Sequence, residues 1–77
     1  MGNPNDVDLP TQGEIDYRNR LYTGKRIELI SMPDPQPIEA GTIGTCNGID
    51  GIGQLIMKWD NGRTLSLIPN VDDFKVV

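Results

Sequence analysis

A mainly all-β fold is what this sequence predicts, on three observations. From Arg26 onward apolar and polar residues alternate with a period of two, the signature of half-buried strands. Asn61-Gly62 separates two such runs, and that dipeptide is the strongest short-range hairpin signal. Glycine and proline cut the rest of the chain into strand-length pieces.

Residues 1–14 hold only Met1, Val7 and Leu9 as sizeable apolar groups, too few to offset the entropy of ordering, so a disordered tail is expected there. Thr11-Gln12-Gly13-Glu14 has the capping-box form, a hydroxyl followed three residues later by a carboxylate. It leads into Ile15-Asp16-Tyr17-Arg18-Asn19-Arg20-Leu21-Tyr22, with Gly24 as the stop, and predicts a short helix over 15–23. A helix this short is marginal alone in water and must dock on something.

The folded domain is expected over 24–77. Arg26 to Met32 is the first strand, with Ile27 and Leu29 on its inward face. Met32-Pro33-Asp34-Pro35-Gln36-Pro37-Ile38 places proline at every second position and reads as a stiff, exposed loop. Thr42 to Asn47 is the second strand, Cys46 facing inward, and Asn47 to Gly53 a glycine-rich loop. Gln54 to Asp60 is the clearest strand, with Leu55, Met57 and Trp59 inward. Arg63 to Ile68 returns from the Asn-Gly hairpin with Leu65 and Leu67 inward. Pro69-Asn70-Val71-Asp72 makes a tight turn, and Phe74 to Val77 a last strand. Five short strands, a long first loop and a tight turn before the fifth describe an SH3-like barrel, whose closure removes exposed edges.

Composition narrows the function. The chain has 77 residues, one domain at most, with 36% hydrophobic residues and a net charge of −4. It has no histidine and one cysteine, so the usual zinc and His/Cys catalytic sets cannot be assembled and no internal disulfide can form. With no signal-peptide pattern and no membrane-length apolar run, a cytoplasmic setting is expected, with no membrane partner. Arg18 and Arg20 face Asp6, Asp8, Glu14 and Asp16 before Thr23. After it, five cations face seven carboxylates, so neither part is a basic module for phosphate backbones.

Individual residues invite functional readings that their context weakens. Trp59 alternates with Leu55 and Met57, which favours core packing over an exposed recognition aromatic. The stretch Asn47 to Gly53 lacks the Lys-Ser/Thr ending and following helix of a phosphate loop. Asp60 has no partner base or nucleophile and reads as a cap on the hairpin backbone. Cys46, on an inward strand face, reads as an inert small hydrophobe.

Arg26-Ile27-Glu28-Leu29-Ile30-Ser31-Met32, Gly41-Thr42 with Gly44-Thr45, Trp59-Asp60-Asn61-Gly62, and Leu65 through Pro69 occur in that order. In this combination, over residues 25–77, the chain resembles an uncharacterised bacterial and phage family, domain of unknown function 4314. The resemblance implies a small SH3-like barrel in a phage or mobile-element context. It implies no activity, because none is established for the family. Cys46 stands where such sequences often have Val, which suits a packed interior position.

One anomaly points to contact with something else. Ile30, Met32, Ile43 and Ile56 all fall opposite the inward set, and a small barrel cannot turn both faces to water if both are apolar. The expectation is one continuous outer patch covered by the helix or by another chain, with Asp34 and Glu39 as acidic groups on the same interaction surface. The function expected is therefore a non-enzymatic, cofactor-free module for protein–protein interaction, monomeric or homodimeric. A KOW-like nucleic-acid-binding domain ranks second, on the Gly41–Cys46 pattern, and a small-nucleotide or metabolite-binding domain third.

Overall fold

The computed structural model describes residues 9–77. The expected disordered tail falls mostly on residues 1–8, outside the described residues. Among those described there is one helix, α1 (Gln12–Tyr22), and four strands: β1 (Arg26–Ser31), β2 (Ile43–Ile49), β3 (Leu55–Trp59) and β4 (Asp73–Val76). The strands form one open antiparallel sheet in the order β3-β2-β1-β4. The mainly β class therefore holds, while the count of five strands and the closed barrel do not: the expected fourth strand, Arg63 to Ile68, is absent, and the expected fifth is β4.

The missing strand has a local cause. Arg63 to Leu67 runs antiparallel to β3 and meets it at both ends: Trp59 N–H donates to Arg63 O at 2.9 Å, and Leu55 and Leu67 exchange bonds of 2.9 and 3.1 Å. A regular ladder would pair Leu65 O with Met57 N–H midway. Instead Leu65 O accepts from Trp59 Nε1 at 2.8 Å. The indole N–H, buried with the ring, has to find an acceptor, and the one it takes peels the segment off the sheet.

Helix α1 starts earlier than expected, at Gln12, because the capping Thr11 precedes the first helical residue. Its Oγ1 accepts from Glu14 N–H at 3.1 Å and Glu14 Oε1 reaches back to Thr11 N–H, completing the capping box.

The inward set packs as its alternation predicts. Ile27, Leu29, Cys46, Leu55, Met57, Trp59 and Leu67 are buried, with Leu65 and Phe74 partly buried against them. Ile38 joins them at 2% exposure, so the proline segment, exposed as expected from Pro33 to Pro37, buries its last residue. That loop folds over the core because Arg63 holds its carbonyls, donating to Pro37 O at 2.8 Å and to Gln36 O at 2.7 Å. Met32 turns toward the core too, its sulfur accepting from Ile38 N–H at 3.3 Å.

The two hairpins differ from their sequence readings. β2 extends to Ile49 through a bulge between Cys46 and Gly48, so the first three residues of the glycine-rich stretch are strand. Asp50 closes the turn, its Oδ1 accepting from Ile52 and Gln54 N–H at 3.1 and 2.8 Å. At the Asn-Gly hairpin only Gly62 takes positive φ, at 91°, and Gly62 N–H bonds Trp59 O at 2.9 Å. This is a three-residue loop with a glycine bulge in place of the expected two-residue turn. Asn61 Oδ1, and not Asp60, caps it by accepting from Arg63 N–H at 3.0 Å.

Candidate interaction surface

The outer face of the sheet does not carry one apolar patch. Register places Glu28 beside Ile43, and Thr45 between Arg26 and Lys58. Ile43 and the exposed Ile30 lie toward one end of that face. Ile56 pairs with Gly48, five residues along β2 from Ile43, or roughly 16 Å at about 3.3 Å per residue. Met32 has left the face for the core. Between the apolar spots Arg26 forms a two-point ion pair with Asp60 and donates to Thr45 Oγ1 at 2.9 Å. Asp60 is thus an ion-pair partner and not a hairpin cap. The Arg26 hydrogen bond holds its carboxyl below the usual range, and Asp60 in turn raises the guanidinium. Asp34 and Glu39 are exposed on the proline loop, Asp34 accepting from Gln36 N–H at 2.9 Å.

Nor does α1 cover the outer face. Its less exposed positions, Ile15, Arg18, Asn19 and Tyr22, follow helical spacing and turn to the inner side. The Tyr22 ring meets Phe74 edge-on, centroids 5.5 Å apart and planes at 71°. Arg18 Nη1 donates to Gly53 O at 2.9 Å. Gly53 has φ 85°, and a Cβ there would run into Arg18 and, at 2.7 Å, Pro10 Cγ. A side chain at this position would unseat the start of α1 from the β2–β3 turn.

Docking of α1 leaves a groove between the helix, the β2–β3 turn and the Ile68–Asp72 turn. One part, of ≈ 440 Å³, is lined by Leu9, Arg18, Ile52 and Ile68 among others. A second, of ≈ 260 Å³, continues along Tyr17, Leu21 and Tyr22. Glu14, Arg18, Pro69 and Asn70 border both. Leu9, Tyr17, Leu21, Ile52 and Ile68 are exposed large hydrophobics that gather here. Their signal in the sequence is apolar residues set in turns, such as Ile52 between two glycines and Ile68 before Pro69, where no strand can bury them.

The lining carries one charge of each sign. Glu14 and Arg18, its charged members among the described residues, are bonded to neutral groups, Glu14 to Thr11 N–H and Arg18 to Gly53 O. Asp72, below the groove, is buried and accepts from Ile68 N–H at 2.7 Å, which fixes the turn. Cys46 is fully buried, and burial pushes its thiol pKa up. No cluster of three or more potential metal ligands occurs among the described residues. Likewise, no described helix is long and apolar enough to cross a membrane.

The model of one protein family, described as Domain of unknown function (DUF4314), matches residues 13–77. The chain belongs to that family. Comparison with curated proteins and with solved structures gives no match. The DUF4314 match begins inside α1, so it takes in most of the helix together with the sheet, while Leu9 and Pro10 of the groove lie before it.

Proposed function

We propose that this DUF4314 domain is a non-catalytic protein-binding module, working in the cytoplasm in a bacterial, phage or mobile-element setting. Its docking surface is the groove along α1. One observation carries the reading: exposed large apolar side chains converge on that groove while the core beneath is already closed. The groove's two charges sum to zero, so it has no net charge to draw an ionic ligand. It suits a short, uncharged segment of another protein that sets a few apolar side chains against Leu9, Ile52 and Ile68, with Gln54 and Asn70 available to backbone groups. The outer face supports the nucleic-acid alternative less well, because Arg26 is paired with Asp60 and Arg63 is occupied by loop carbonyls.

Selection from a random peptide library against the full chain tests this. Selected peptides should be apolar, shift the amide signals of Ile52, Ile68 and Leu21, and lose binding to Ile68→Asp but not to Ile56→Asp. Peptides that map to Ile30, Ile43 or Ile56 would move the surface to the outer face. Duplex or single-stranded nucleic acid binding with a steep salt dependence, and no peptide, would overturn the reading.

A further inference from the structure

The Asn-Gly pair at the hairpin tip has chemistry that its structural role does not use. We propose that Asn61 is a site of spontaneous backbone modification, through a cyclic imide formed with Gly62. The Gly62 amide nitrogen loses its proton to solvent base and attacks Asn61 Cγ. The new N–Cγ bond forms as Cγ–Nδ2 breaks, and ammonia leaves. Water then opens the ring at either carbonyl, giving aspartate or its β-linked isomer. The net change is gain of water and loss of ammonia, with no redox partner.

Two features select this site over Asn47-Gly48, the other Asn-Gly pair in the chain. Asn61 and Gly62 are both exposed, and no heavy atom beyond Gly62's chain neighbours would lie within 4 Å of a Cβ there. The backbone at Gly62 can therefore turn without meeting a neighbouring group. In the closed tip Asn61 Oδ1 accepts from Arg63 N–H, which keeps the side chain in its capping role. Gly62 N–H is bonded to Trp59 O, so reaction runs from the opened tip. Hairpin tips open at small free-energy cost, whereas strand interiors open only with larger units. Asn47 is exposed and is the unpaired residue of the β2 bulge, but both its neighbours are in the ladder, Cys46 with Met57 and Gly48 with Ile56, so its backbone frees itself only when the centre of the hairpin opens. Gly48 O also accepts from Cys46 Sγ at 3.3 Å.

The β-linked product inserts a methylene into the backbone between Asn61 and Gly62. The bonds Gly62 N–H to Trp59 O and Trp59 N–H to Arg63 O lose their register, and the added carboxylate stands next to Asp60. Modification therefore weakens the anchorage of both Arg26 and Arg63.

The test is incubation of the full chain at mildly alkaline pH, followed by peptide mass mapping and detection of β-linked aspartate. In denaturant both Asn-Gly pairs should react at similar rates, because sequence alone then decides. In the folded protein the peptide containing Asn61 should convert roughly tenfold faster or more than that containing Asn47, a factor equivalent to about 1.4 kcal/mol of additional local protection. Asn61→Gln should abolish conversion there and leave Asn47 unchanged. Equal protection of both pairs in the folded state, or faster reaction at Asn47, would overturn the proposal.

Discussion

On the inner face of the sheet Ile27, Leu29, Met57 and Trp59 are no more than 2% exposed, whereas on the outer face of the same strands Ile30 and Ile56 are 48% and 43% exposed. Besides Tyr22 of α1, the inner face is covered by segments with no regular structure of their own: the proline loop contributes Ile38, and the peeled return segment contributes Leu65 and Leu67. Polar atoms hold both segments in place, Arg63 on one and the Trp59 indole on the other. The outer face has no such cover and is organised by the Arg26–Asp60 pair. In so small a chain, the core is completed by side-chain hydrogen bonds to loop carbonyls, where a larger domain would add another strand or helix.

The strongest way to break this comparison is at Trp59, which both fills the core and fastens the return segment. Trp59→Ala removes the largest buried side chain and frees Leu65 O. Large-to-small changes of this kind cost about 3–5 kcal/mol, a large share of a small domain's whole stability. The variant should show no cooperative thermal transition near that of the wild type. A melt within a few degrees of wild type would mean that Trp59 does not hold the two layers together.

Gly44 offers a sharper, intermediate probe. A Cβ there would lie 2.8 Å from Trp59 Cε3, 2.9 Å from Lys58 O and 2.9 Å from Trp59 Cα. Two of those atoms are backbone and cannot swing aside, so Gly44→Ala forces β2 and β3 apart or tilts the indole. Overpacking of this kind costs about 1–3 kcal/mol. For a domain of this size each kcal/mol lowers the melting temperature by roughly 4–8 °C. Ile56→Ala, on the outer face of the adjacent strand, should change stability by about 0.5 kcal/mol or less. Equal losses at the two positions would erase the distinction between the faces.

How much of this was legible in the sequence follows the range of the forces involved. The inward set was legible because the pleat ties side-chain direction to a period of two, and each strand reports it locally. The capping box and the Ile68–Asp72 turn were legible for the same reason. The anchorage of the proline loop was not, since Arg63 lies 26 and 27 positions from its acceptors and no local pattern marks the pair. Asp60 was misassigned because Asn61, one residue on, can cap the same turn. Which of them does so is decided by Arg26, brought alongside through strand register. The apolar groove was missed because its members come from the helix and two turns, and only the docking of α1 brings them together.

The smallest expected effect belongs to the outer-face ion pair, and pH isolates it. Asp60 has its pKa lowered by the Arg26 hydrogen bond, so the folded state holds a proton there less readily than the unfolded chain. A depressed carboxylate stabilises the fold above its ordinary pKa, and that contribution is lost as pH falls through the depressed value. Asp60→Asn removes the titration and the charge together. Both partners are about half exposed, at 48% and 54%, so water and salt screen the pair and the difference at neutral pH should be small. Thermal melts of wild type and Asp60→Asn, from about pH 7 down to about pH 2, should therefore converge in acid, with wild type ahead only at the upper end. Raising the salt concentration at neutral pH should narrow the same gap. A difference that persists unchanged at the acid end would show that Asp60 acts through shape and not charge. Polar organisation of the outer face would then rest on Arg26 and Thr45 alone.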